Sequence, residues 1–96
     1  MRKYEIMFIV RPTLSEDDVK NVVKNFRDIL TSNGAKVVNE KDMGQRELAY
    51  EIKDFKSGFY YVFNIEANDD KAINEFDRLS LISKDVIRHL ITREED

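Results

Sequence analysis

The chain predicts an α+β domain in which four strands form one antiparallel sheet and two helices cover a single face of it. Three observations carry the prediction. Apolar residues recur at period two in four separate segments, the mark of half-buried strands. Two further segments carry apolar stripes at helical spacing. No repeat, low-complexity tract or Pro/Gly-rich linker divides the 96 residues, so one domain spans residues 1–96.

The first strand runs from Lys3 to Val10, with Tyr4, Ile6, Phe8 and Val10 on one face and Lys3, Glu5, Met7 and Ile9 on the other. Pro12 ends it, having no N–H for a ladder. Ser15 and Asp18 form a capping box for the first helix, whose stripe is Val19, Val22, Val23, Phe26, Ile29 and Leu30. Asn33-Gly34 supplies a left-handed stop. A long second strand, Ala35 to Lys53, bends near Gly44, where an isolated strand glycine marks a bulge. Lys56-Ser57-Gly58 has turn chemistry, which makes Phe59 to Ala67 the return strand of a hairpin. Asn68-Asp69-Asp70 reads as the cap of a second helix with the stripe Ala72, Ile73, Phe76 and Leu79. Val86 to Thr92 closes the sheet. This order, β-α-β-β-α-β, is the ferredoxin-like arrangement of two crossovers sharing a hairpin, and it leaves one sheet face without helices.

Composition removes several function classes. Hydrophobic residues at 42% and charged residues at 36% suit a packed soluble domain. The longest apolar run, Ile6 to Val10, is far below membrane-spanning length, and no secretion signal opens the chain, so a cytoplasmic location is expected. The absence of cysteine excludes disulfides, thiolate metal sites and thiol nucleophiles. Net charge is −3, whereas chains that grip nucleic acid alone and over a broad surface are usually basic. Residues 1–48 hold nine basic and eight acidic side chains, and residues 49–96 seven and eleven. Any RNA role must rest on a local patch or a basic partner.

The residues offer little to catalysis. His89 is the only histidine, and no serine sits in a nucleophile elbow. Glu16-Asp17-Asp18 and Asp69-Asp70 lie at helix starts, where carboxylates complement the dipole, so no metal or cofactor is expected. Gly34, Gly44 and Gly58 are isolated and make no phosphate-cradling loop.

The third strand is aromatic, and RNA-recognition modules of this topology stack bases on an open sheet face. Here Phe59, Tyr61, Phe63 and Ile65 share the core face, which leaves Tyr60 as the single outward aromatic beside Val62, Asn64 and Glu66. Base stacking on this strand is therefore not expected. Met7, Ile9, Tyr60 and Val62 make the open face partly apolar, the composition of a partner-binding surface. The basic candidates for RNA are Arg2, Lys3, Arg46, Arg88 and Arg93. Because the first and last strands are neighbours in this topology, Arg2, Lys3, Arg88 and Arg93 are expected to converge. Alternation groups Arg88 with Val86 and Leu90, opposite Ile87, His89 and Ile91; both sets are partly apolar. The cost of an unpaired buried guanidinium points Arg88 away from the helices.

Residues 44–53, Gly-Gln-Arg-Glu-Leu-Ala-Tyr-Glu-Ile-Lys, resemble the signature second strand of the bacterial small-subunit ribosomal protein S6 family. The likeness continues through the opening Met-Arg-Lys-Tyr-Glu-Ile-Met-Phe-Ile-Val-Arg-Pro, the aromatic strand Gly58–Glu66 and the closing strand Asp85–Arg93, in the family's order. Some members carry a long charged tail after that strand, where this chain has Arg93-Glu94-Glu95-Asp96. The resemblance implies a structural, non-enzymatic component of the small ribosomal subunit. It further implies binding to the central domain of 16S ribosomal RNA as a heterodimer with the basic ribosomal protein S18, with no small-molecule substrate. Two rivals share the topology. A small-molecule-sensing regulatory domain forming homodimers favours glycines in its first strand–helix loop, and Arg11-Pro12-Thr13-Leu14-Ser15 has none. An acylphosphatase-like hydrolase needs a glycine-bearing phosphate loop beside an arginine; Arg11 is present without that loop.

Overall fold

A computed structural model, describing residues 2–94, gives β1 (Arg2–Val10), α1 (Glu16–Ser32), β2 (Lys36–Ile52), β3 (Phe55–Ala67), α2 (Lys71–Ile82) and β4 (Val86–Glu94). The last two residues of the charged tail lie outside the described residues. Strand order in the antiparallel sheet is β2-β3-β1-β4, so β2 and β4 are its edges.

The expected core face of β1 and β3 is the observed one. Tyr4, Ile6, Phe8, Val10, Phe63 and Ile65 are buried against Val19, Val23, Phe26 and Leu30 of α1 and Ala72 and Phe76 of α2. Phe8 sits at the centre, its ring 5.3 Å from that of Phe63 and 5.5 Å from that of Phe26; Phe26 in turn lies 5.0 Å from Phe76. These tilted and edge-on geometries favour the ring quadrupoles.

Local signals mostly act where expected. The Ser15 hydroxyl accepts from the Asp18 amide at 3.2 Å, which caps α1. Gly34, at φ +92°, turns the chain so that the Ala35 amide reaches the Leu30 carbonyl at 3.0 Å. Gly44, at φ +75°, sits beside a bulge in which Met43 is the extra residue, and its amide donates to Asp42 Oδ1 at 2.9 Å.

Three expectations need correction. The hairpin turn is Lys53-Asp54, not Lys56-Ser57-Gly58. Both turn residues have positive φ, 50° and 69°, the conformation of a two-residue turn whose twist matches the strands it joins. Gly58 lies inside β3 for a different reason: a Cβ there would stand 2.4 Å from Ile9 Cγ2 and 3.0 Å from the Val10 carbonyl oxygen. The Asp70 side chain makes no cap to α2; it turns to β1, while Asp69 Oδ1 accepts from the Lys71 amide at 3.0 Å. Finally, β4 does not alternate cleanly. Ile9 faces Arg88 but Val10 faces Val86, so Ile87 is a bulge residue and Val86 joins the helix-side core rather than sharing a face with Arg88.

Candidate partner and nucleic-acid surfaces

Cross-strand partners in an antiparallel sheet point to the same face, so the register maps the helix-free side row by row. One half is polar: Glu94, Lys3, Glu66 and Lys36 form a row, and Thr92, Glu5, Asn64 and Asn39 the next. Asn64 Nδ2 donates to Glu94 Oε1 at 2.8 Å across this half. The other half holds Leu90, Met7 and Val62, then Arg88, Ile9 and Tyr60.

This apolar half is not bare. Tyr50 lies on β2, an edge strand three places from β4, yet Arg88 Nη1 donates to its hydroxyl. That contact requires the end of the β2–β3 hairpin to fold across the sheet. Leu48, Ala49, Tyr50 and Ile52 roof a cavity of about 150 Å³ floored by Met7, Ile9 and Tyr60. Two of the four residues expected to be displayed to a partner are buried: Ile9, beneath this roof, is 3% exposed, and Val62, in the neighbouring row, is 8% exposed. The reason is tertiary. Strand β2 runs well past the sheet's main ladder, and its apolar residues at 48 and 52 are only half-buried, stabilised by closing over apolar surface. The accessible apolar residues on this side are Tyr50, 62% exposed, and Leu90, 52% exposed, beside half-buried Met7 and Tyr60. Sequence reasoning placed Tyr50 and Leu90 on strands without marking them as surface candidates; the missing signal was the fold-back of the hairpin.

Arg88 points away from the helices, as the burial argument required, and is exposed. Its convergence with Arg2, Lys3 and Arg93 does not occur. Antiparallel pairing sets Arg88 against Ile9 and Arg93 against Tyr4, and Arg2 lies about 23 Å from the Ile9 position at the ordinary strand rise. The remaining three split by face. Lys3 is on the helix-free side between Glu94 and Glu66. Arg2 reaches the helix side, where Nη1 donates to Asp70 Oδ1 at 2.8 Å, the same oxygen that accepts from the Tyr4 hydroxyl at 2.8 Å. Tyr4 first, then Arg2, with the Arg93 charge adding, hold the Asp70 carboxyl below the usual carboxylate range. Arg46 is exposed opposite Gly58 on the helix-free side, its Nε donating to the Met43 carbonyl at 3.2 Å.

The other chemistry-bearing residues are tied into structure. His89 Nε2 lies 2.7 Å from Asp77 Oδ1, with its ring against Phe76. Arg11 Nε donates to Asp85 Oδ1 at 2.9 Å and Nη1 to Thr13 Oγ1 at 2.7 Å, which fastens the β1–α1 loop to the start of β4. Among the described residues, no cluster of three or more His, Cys, Asp or Glu side chains could hold a metal, and no helix is long and apolar enough to cross a membrane.

Comparison with known proteins agrees with this architecture. A family model described as ribosomal protein S6 matches residues 3–93. The crystal structure of 30S ribosomal protein S6 from Thermotoga maritima superimposes with a TM-score of 0.93 at 30% identity, covering 97% of this chain and 87% of that one.

Proposed function

The chain belongs to the ribosomal protein S6 family, which comprises structural proteins of the small ribosomal subunit and not enzymes, and from that premise we propose that it binds the central domain of 16S ribosomal RNA together with ribosomal protein S18. The observation that carries the reading is the pairing of a −3 net charge with a helix-free sheet side that is half apolar. An acidic chain gains little from phosphate neutralisation by itself, so a basic partner supplies charge and the apolar half supplies the docking area.

In this arrangement Met7 and Tyr60 meet the partner with Tyr50 and Leu90, while Ile9 and Val62 support them from beneath. Arg46 and Arg88 flank that area, and Arg2, Lys3 and Arg93 serve RNA at the other end of the sheet. An arginine already engaged by one N–H retains further donors in its planar fork for a phosphate. The work is done in the cytoplasm on the ribosome, with no cofactor.

The test has two arms. The endogenous protein should co-sediment with the small subunit at high salt. In reconstitution, the isolated chain should bind a central-domain RNA fragment poorly and tightly once the basic partner is added. A tight, salt-sensitive complex formed by the isolated chain refutes partner dependence.

A further inference from the structure

The two free edges of the sheet differ. Along β2 the register slips at Val38 and again at Met43, and such bulges spoil an edge as a template for another strand. Along β4 the pairing with β1 runs without a slip from Arg88 to Glu94, so seven residues present one regular edge. Apolar surface gathers beside it: Leu90 is exposed on the helix-free face, and Leu81 is exposed near the end of α2. A cleft of about 270 Å³ opens at the start of this edge. It touches Arg88 on one face of the sheet, His89 on the other, Leu81 of α2 and Lys53 of the hairpin turn.

Charge along the helix-free face of this edge is asymmetric. Its start carries Arg88, with Lys53 of the turn close by, and its end carries Glu94. Such a strand repels an in-register parallel copy of itself and matches an antiparallel one. Two-fold pairing about an axis normal to the sheet keeps both helix layers on one side, so only residues of the same face stand opposite each other. Centred on Ile91, it sets Arg88 against Glu94 of the second copy at both ends of the contact. Between them Leu90 faces Thr92 of the second copy, with the two leucines in diagonal reach. On the helix side Ile91 meets its own copy, and Arg93 of the second copy stands beside His89 and the Asp77 carboxylate bonded to it. A centre one residue earlier sets Arg88 against Thr92, and one residue later Leu90 against Glu94; neither matches a charge.

We propose that β4 is a self-association edge, at which a second copy of this chain pairs antiparallel, β4 to β4, with an Arg88–Glu94 contact at each end. The product is one eight-stranded sheet with all four helices on the same side. Arg88 already donates to Tyr50 and Glu94 already accepts from Asn64. A guanidinium has five donors and a carboxylate about four acceptor sites, so both can take the second contact. Exposed Leu90 gains an apolar neighbour that its own chain does not supply. The contact spans only seven residues a side, so the dimer exchanges readily with monomer and forms at micromolar concentrations or above. Self-pairing needs nothing of the ribosomal reading.

The experiment is sedimentation equilibrium of the full chain at low salt, up to about 1 mM protein. Wild type should associate reversibly to a dimer and no further, because pairing uses up the β4 edges and leaves only the bulged β2 edges. Arg88→Glu and Glu94→Arg should each weaken the dimer about tenfold or more, since each turns both attractions into repulsions. Both residues are exposed, so both variants should keep the fold, which far-UV circular dichroism checks. An equimolar mixture of the two should associate again, because the mixed dimer regains an opposite pair at each end. The swapped chain Arg88→Glu/Glu94→Arg should dimerise alone. At about 1 M salt the differences should narrow. Single variants that dimerise as wild type does, or a mixture or swapped chain that stays monomeric, overturn the pairing. A wild type that is monomeric throughout overturns it as well and leaves the edge to a strand of another protein.

Discussion

Truncating Phe63 while leaving its strand neighbour intact tests the register from which both faces are assigned. Phe63 has no exposed surface, pairs with Ile6 and packs edge-on against Phe8 at the centre of the aromatic cluster. Phe63→Ala removes a ring that the surrounding helices and strands hold too rigidly to refill, at a cost of about 3–5 kcal/mol. A domain of this length has a total stability of about 5–14 kcal/mol, so the loss is a large fraction of it. Melting should fall by roughly 12–40 °C. Tyr60, three positions away on the other side of the sheet, is half-buried beneath the hairpin, and Tyr60→Ala should cost less than half as much while weakening association with the partner. Urea unfolding followed by far-UV circular dichroism, with tyrosine emission as a second probe in a chain of four tyrosines and no tryptophan, measures both losses. With a urea slope of about 1–3 kcal/mol/M, the Phe63→Ala midpoint should drop by about 1 M or more. Equal losses at the two positions, or a Phe63→Ala loss below about 1.5 kcal/mol, refute the register.

Gly58→Ala should destabilise by about 1–3 kcal/mol through the clash with Ile9 Cγ2, and the double variant with Ile9→Ala should cost less than the sum; strict additivity in a double-mutant cycle refutes the close approach. Asp70 has its carboxyl pKa lowered in the folded state, so its contribution is present above the unfolded value and is lost as pH falls through the folded one. Asp70→Asn should therefore melt lower than wild type at neutral pH, and the gap should close below about pH 4; a gap independent of pH in that range refutes the linkage. Arg88→Ala should leave stability within about 1 kcal/mol, because its Tyr50 contact is exposed. The same variant should weaken the RNA–partner complex by about 1–3 kcal/mol; a variant that unfolds while residual binding persists makes Arg88 a structural residue.

Periodicity was enough for the element order, the inner face of β1 and β3 and the stripes of both helices, because those depend on neighbours within a few residues. Ser15 and Gly34 were legible for the same reason: a cap and a left-handed turn are satisfied locally. The likeness of residues 44–53 to the S6 signature pointed to the family over the length that the family model matches. What escaped the sequence is what distant segments do to one another. Lys53-Asp54 took the hairpin turn because strand twist demands positive φ there, while Gly58, the more obvious turn residue, was required within β3 by the approach of Ile9. A single bulge at Ile87 reversed the alternation of β4 and sent Val86 to the core. The open sheet side was half-closed by its own hairpin, since apolar residues at 48 and 52 could be buried only by folding back over Ile9 and Tyr60. Local patterns specify elements because their energies are local; a surface is a sum over pairs far apart in the chain, and register, bulges and fold-back decide which pairs meet.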